Sequence, residues 1–148
     1  MPFRILCLSG PNLQLLGTRE PEIYGRTTLD EIHTELKKVA RADLECRQSN
    51  HEGALVDWIG EARGKFDGIL LNAGAYTHTS IALRDAIKSV DVPCVEVHLS
   101  NPEAREPFRR RSRIAPVCIA KVAGFGAASY RVALNALIDW LDARAKVD

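Results

Sequence analysis

Phe3-Arg-Ile-Leu-Cys-Leu-Ser9, stopped by Gly10-Pro11, is the stretch on which the fold turns. It is too short for an ordinary helix, and its apolar residues Ile5, Leu6, Cys7 and Leu8 run without alternation. Such a run is a strand with apolar side chains on both faces. Strands of that kind belong to parallel sheets covered by helices on each side. Similar runs return at residues 67–71, 93–97 and 117–122, with a weaker one at 44–48.

Helical patterns fill the intervals. Thr28-Leu-Asp-Glu31 is a capping box, and Leu29, Ile32, Leu36 and Val39 follow at helical spacing. Asn50 is placed to cap a helix over 52–63, with Leu55, Val56 and Ile59 inward. Thr79 or Ser80 caps another that runs to about Ser89, a short polar helix fits 102–108, and a last helix spans 128–143. Strand, loop and helix thus alternate about five times in one domain covering 1–148. The expected architecture is α/β: a flavodoxin-like, doubly wound, five-stranded parallel sheet with helices on both faces.

Composition narrows the function. The chain has 148 residues, is 46% hydrophobic and carries a formal charge of +1, so it can bury a core and lacks the basic footprint of a general nucleic-acid binder. Its apolar runs, 69–71 and 117–120 among them, are far short of the roughly 20 residues a membrane span needs. The first residues show no secretory signal, so the cytoplasm is the expected compartment. Cys7, Cys46, Cys94 and Cys118 form no Cys-x-x-Cys and read as buried free thiols. His51 is the histidine near Cys46 in sequence, and that pair alone makes no zinc set. His33 shares its helix with Glu and Lys and reads as exposed.

In doubly wound sheets ligands bind beyond the carboxyl ends of the strands. The residues expected there include Asn12, Arg19 and Tyr24 in a long loop over 10–26, then Asn72 and His78, then Glu96, His98 and Ser100. The segment from Gly10 to Gly17 lacks the lysine of a phosphate-binding P-loop, and no acidic pair ends the first strand as a receiver domain would require. Gly124-Phe-Gly126-Ala-Ala-Ser129 resembles a damaged dinucleotide fingerprint but follows the last strand, where close packing of helix on strand explains it. A module binding FMN at this edge stays open at this point, as does a paralogue that kept the fold and lost catalysis.

Six motifs in order go further: Gly10-Pro-Asn-Leu, Leu16-Gly-Thr-Arg-Glu-Pro21, Ile23-Tyr-Gly25, Asn72-Ala-Gly-Ala-Tyr-Thr-His78, Val95-Glu-Val-His-Leu-Ser-Asn101 and Phe108-Arg109. Together they closely resemble the type II 3-dehydroquinate dehydratases over nearly the whole chain. That resemblance implies reversible anti elimination of water from 3-dehydroquinate through an enolate, serving aromatic biosynthesis or quinate breakdown. It implies no metal, nucleotide or other cofactor, and a homododecamer built from trimers. The chain departs from the family at Gln14, often Asn, and at Arg110-Arg111-Ser112-Arg113, often His-His-Ser-Tyr, which bears on subunit contacts.

The resemblance also assigns roles. An ordinary tyrosine, pKa about 10, is ionised about once in a thousand molecules at pH 7, and a neighbouring guanidinium favours the phenolate. Tyr24 is accordingly the implied base, assisted by Arg19. Asn12 holds a water against the enolate, and His98 is the acid with Glu96 as its partner. The substrate carboxylate falls to Leu99 and Ser100, and the ring hydroxyls to Asn72, His78 and Arg109. Asp85 reaches a neighbouring subunit's site. His51, with Asn50 and Glu52, supports the site from behind. The long loop is expected to close over substrate about Gly17 and Gly25.

Overall fold

The computed structural model describes residues 2–147. Five parallel strands, β1 (Phe3–Ser9), β2 (Ala42–Gln48), β3 (Gly68–Asn72), β4 (Cys94–His98) and β5 (Ala120–Ala123), form one sheet in the order β2-β1-β3-β4-β5. The helices are α1 (Pro21–Tyr24), α2 (Leu29–Leu36), α3 (Glu52–Gly60), α4 (Ile81–Val90) and α5 (Ala128–Val147). This is the doubly wound arrangement expected from the strand runs. No helix among the described residues is long and apolar enough to cross a membrane.

The unbroken apolar character of β1 has the predicted cause. Ile5 and Cys7 pack against α2 and α5 through Leu29, Ile32, Leu134 and Ile138. Leu6 and Leu8 point the other way and meet Leu55 and Ile59 of α3 and Leu83 and Ile87 of α4. Strands β2 and β5 are the sheet edges and are half-exposed along their length. Edge position explains why β2 reads weakly in the sequence. It also explains a displaced β5: residues 115–117 form a 3-10 turn and pairing begins only at Ala120, three residues later than expected.

Other boundaries differ for local reasons. Thr28 caps α2 by accepting from the Glu31 N–H, and Ser80, not Thr79, caps α4 by accepting from the Leu83 N–H at 2.9 Å. Asn50 does not cap α3; His51 holds the capping position without a side-chain bond. The Asn50 side chain is instead committed to the loop after β1, where Oδ1 accepts from the Asn12 N–H at 2.9 Å. The expected helix over 102–108 resolves into two 3-10 turns, Pro102–Ala104 and Pro107–Arg109, each opened by its proline. Helix α5 runs on to Val147, beyond the expected end at 143.

The chain turns one way from β1 to β2 and the other way from β2 to β3, so the loops leaving β1 and β3 diverge above a crevice. Their roots are locked together. The Gly10 N–H donates to the Asn72 carbonyl at 2.8 Å, and a Cβ at Gly10 would lie 2.6 Å from the Ala73 carbonyl oxygen. Glycine is therefore required by backbone approach. Gly10→Ala is expected to destabilise the protein by about 1–3 kcal/mol, the usual range for forced overpacking, read as a lower urea midpoint with an unchanged slope.

Candidate active site

The loop after β1 is more structured than its Gly and Pro content suggests. Asn12 takes a left-handed conformation, φ 69°, which Asn tolerates better than most side chains, and leads into a 3-10 turn over Leu13–Leu15. Gln48 braces this turn by donating to the Gly10 carbonyl and the Gln14 side chain. Pro21 then starts α1, whose last residue, Tyr24, is buried, and Gly25 at φ 82° releases the chain. The single helical turn places Arg19 and Tyr24 side by side. Arg19 Nη2 donates to Tyr24 Oη at 3.2 Å, and its guanidinium carbon lies 4.5 Å from the ring centroid. A second guanidinium, Arg105, stands 5.2 Å from the same ring.

Strand β4 supplies a different pair. Glu96 and His98 are two apart in an extended strand and share a face. Glu96 has no exposed surface, and its Oε2 meets His98 Nε2 at 2.5 Å. Its Oε1 accepts from Ser112 Oγ at 2.8 Å, and Lys121 Nζ lies 4.0 Å from Oε2. Burial pushes the Glu96 carboxyl up, but the hydrogen bonds from His98 and Ser112 and the nearby positive charge outweigh it and hold the group below its ordinary value. Glu96 is thus anionic at neutral pH. With Nε2–H committed to the carboxylate, His98 can donate from Nδ1 only as the imidazolium.

Strand β3 ends in Asn72, which is buried and fixed from two sides. Its Oδ1 accepts from the Gly74 N–H at 3.1 Å, and its Nδ2 donates to Tyr130 Oη at 3.0 Å. Burial drives the Tyr130 phenol far above the usual range, so it stays protonated. Its oxygen accepts from Asn72, and its hydroxyl shares a hydrogen bond of 2.9 Å with the Ser9 hydroxyl. His78 Nδ1 donates to the Arg111 carbonyl at 2.8 Å, the carbonyl fixing which nitrogen carries the proton. Burial lowers the His78 pKa, against the pull of that carbonyl, and leaves the ring neutral with Nε2 as its free nitrogen.

These groups surround one cavity of about 190 Å³ at the carboxyl edge. Asn12, Arg19, Tyr24, Asn72, His78, His98, Leu99, Ser100 and Arg109 line it, as the sequence reading expected, with Glu96 behind His98. Asp85 does not join them; it is exposed on α4 and absent from the lining. A larger groove of about 440 Å³ between α2 and the start of α5 presents no base paired with an acid, so size does not mark the site. Three guanidiniums, Arg19, Arg105 and Arg109, face the smaller cavity, while the Glu96 charge is spent on His98, Ser112 and Lys121. The cavity suits an anionic, polyhydroxylated ligand.

Four contributors were missed in the sequence. Arg105 reads as one more charge in a polar turn. Ser112 and Lys121 are 16 and 25 positions from Glu96, and nothing local signals either contact. Tyr130 occupies an inward position on an amphipathic helix, where an aromatic ring reads as core; its hydroxyl was the only hint.

The fold and cavity define a class: a flavodoxin-like α/β domain with an acid–base pocket at the strand ends. The family model described as dehydroquinase class II matches residues 3–138. A 3-dehydroquinate dehydratase from Ruegeria pomeroyi is 60% identical over 136 residues, covering 90% of this chain and 91% of that protein. One from Gloeothece citriformis is 55% identical over 142 residues, covering 94% and 93%. The crystal structure of type II dehydroquinase from Butyrivibrio crossotus superposes with a TM-score of 0.88 at 43% identity, covering 93% of this chain and 98% of that one. The chain belongs to the class II dehydroquinase family, an enzyme family of hydro-lyases.

The fixed Asn72 gives a test. Tyr130→Phe removes the oxygen that Asn72 donates to and the hydroxyl that hydrogen-bonds Ser9. A loss of about 1–3 kcal/mol of stability is expected, the cost of unpaired buried polar groups. With Asn72 freed, KM for 3-dehydroquinate should rise more than kcat falls, as steady-state kinetics would show.

Proposed function

We propose that this chain catalyses the reversible anti elimination of water from 3-dehydroquinate to give 3-dehydroshikimate through an enolate, a reaction of the shikimate pathway. The observation that carries the reading is the pairing of two opposed devices around one cavity. One is a phenol hydrogen-bonded by a guanidinium, and the other is an imidazole tethered to a buried carboxylate.

The chemistry follows from those atoms. The hydrogen bond from Arg19 Nη2 strengthens as Tyr24 Oη becomes anionic, and Arg105 adds positive charge at the ring. Tyr24 Oη then takes the proton from the carbon beside the ketone. Charge accumulates on the ketone oxygen, and Asn12, held at the crevice by Asn50, positions a water that donates to it. His98 delivers its Nδ1 proton to the departing hydroxyl, and Glu96 stabilises the imidazolium until that moment. The ring double bond forms, water leaves, and the proton taken by Tyr24 passes back to His98 before the next turnover. Ser100 and the Leu99–Ser100 backbone hold the substrate carboxylate, with Arg105 donating to Ser100 Oγ at 3.3 Å. Asn72, His78 and Arg109 bind the ring hydroxyls. Assembly into a homododecamer of four trimers, the arrangement the family resemblance implies, would bring the exposed Asp85 of one subunit to a neighbour's cavity.

The direct experiment is an ultraviolet assay for the conjugated enone on adding 3-dehydroquinate to purified protein. A colourless protein that forms the enone supports the reading, and a yellow, FMN-loaded protein without turnover would replace it. Tyr24→Phe should keep the far-ultraviolet circular dichroism of the parent and lose at least about 100-fold in kcat, the lower end for removal of a general base. Glu96→Gln bears on the second device. The folded Glu96 carboxyl is depressed, so its charge and the stability it contributes persist as pH falls, until the lowered value is reached. In the neutral range the variant therefore removes a full negative charge beside His98. The basic limb of the rate–pH profile is expected to move to lower pH; an unmoved limb would separate Glu96 from proton delivery.

A further inference from the structure

Cys7 of β1 and Cys46 of β2 are direct register partners in adjacent parallel strands, so their thiols project to the same face. Helix α2 packs on that face, and His33 descends from it. The sequence reading placed His33 on an exposed surface; in the structure it is half-buried, and its Nε2 has no hydrogen-bond partner although shielded from solvent. The two sulfurs and a ring nitrogen of His33 lie within 4.8 Å of one another. A histidine contributed by a helix 13 positions before Cys46 is what spacing along the chain could not reveal.

We propose that Cys7, Cys46 and His33 form a binding site for a zinc-like d10 divalent cation, which clamps the edge strand β2 to β1 and α2. The donor set selects the ion. Two thiolates and an imidazole suit Zn²⁺, and among the described residues no carboxylate joins the cluster to favour a hard cation such as Mg²⁺ or Ca²⁺. The charge also balances. Two thiolates and a neutral imidazole around a dication make a neutral complex, the form that burial penalises least. Zinc bond lengths require ligand atoms about 3.7 Å apart, so closing the present spread is a matter of roughly an ångström of side-chain rotation. Three protein ligands leave one tetrahedral position for a water, and the partial exposure of Cys46 at the sheet edge gives a way in.

Protonation runs in the same direction. Burial lowers the His33 pKa, which leaves its ring neutral and able to ligate. The Cys46 thiol is lowered by a hydrogen bond from Cys7, while that same contact and burial raise Cys7. Two thiol protons pass to solvent as two metal–sulfur bonds form, with no change of oxidation state. The second thiol pair, Cys94 and Cys118, is also in contact but is joined by no third ligand among the described residues, and provides an internal control.

The test uses the full chain, reduced and stripped with EDTA, and needs no dehydratase activity, so its outcome is independent of the proposed reaction. Co²⁺ should give a thiolate charge-transfer band in the near ultraviolet, and Zn²⁺ should displace it at one equivalent per chain. Zn²⁺ should also raise the Tm while leaving turnover unchanged. Cys46→Ser and His33→Gln should each weaken Zn²⁺ by at least about tenfold, and Cys118→Ser should not. His33→Gln preserves size at a half-buried helical position, so that variant keeps the question open to an answer if Cys46→Ser fails to fold. Absence of the thiolate band, or Zn²⁺ affinity unchanged in His33→Gln, would overturn the proposal.

Discussion

A carboxylate without exposed surface, Glu96, sits directly behind the cavity, and much else answers to it. An ion moved from water into a protein interior costs several kcal/mol unless its oxygens are satisfied. Glu96 meets that requirement only because β4 presents His98 two residues on, β5 brings Lys121 alongside, and the segment after the 3-10 turns delivers Ser112. That segment is itself pinned to the loop after β3: Arg113 N–H donates to the Thr77 carbonyl and His78 donates to the Arg111 carbonyl. Ser112 also accepts from the Ala115 N–H at 3.0 Å, which sets its hydroxyl hydrogen toward Glu96. The demand of one buried charge therefore ties the irregular segment around Ser112 to the paired strands β4 and β5.

The opposite wall obeys a different constraint. Tyr24 is held not by a strand but by one turn of helix whose ends are set by Pro21 and Gly25. Its neighbours are the two guanidiniums of Arg19 and Arg105. Repulsion between them is relieved by Glu20 beside Arg19 and Glu106 beside Arg105, at 3.8 Å in each case. Those acids stand at the surface, where their pull is screened, whereas the guanidinium faces turned to the ring are shielded. The cavity thus keeps a net positive wall although the chain as a whole is close to neutral.

How far the sequence could be read follows from these distances. Strand β1 was legible because its burial on both faces is written as consecutive apolar residues, and Glu96 with His98 because a strand makes i and i+2 neighbours. Arg19 and Tyr24 were legible as members of one loop, but the helical turn that joins them was hidden in a stretch rich in Gly and Pro. Asn50 misled, since the same side chain that favours a helix cap serves equally well to hold the Asn12 N–H. Ser112, Lys121 and Tyr130 were illegible for a common reason: each acts across the sheet or from the opposite layer, and periodicity carries information only along an element. The six collinear motifs contain most of the residues that line the cavity, because they carry those long-range partnerships without stating them.

Tyr130 shows why the core and the site are one structure. Its ring is wholly buried among the residues that α5 packs against the sheet, while its hydroxyl ends at the two polar side chains where β1 and β3 stop, Ser9 and Asn72. A phenylalanine there would fill the layer equally well, so packing alone does not call for the oxygen. The oxygen is needed because Asn72, 3% exposed, presents an amide whose donors must be satisfied before its orientation is single-valued. Placing that acceptor on a 20-residue helix rather than on a loop anchors the position of an amide at the cavity wall to the hydrophobic core. The opposite wall is left to the loop that carries Arg19 and Tyr24, which is shaped by a single helical turn between Pro21 and Gly25 rather than by a strand.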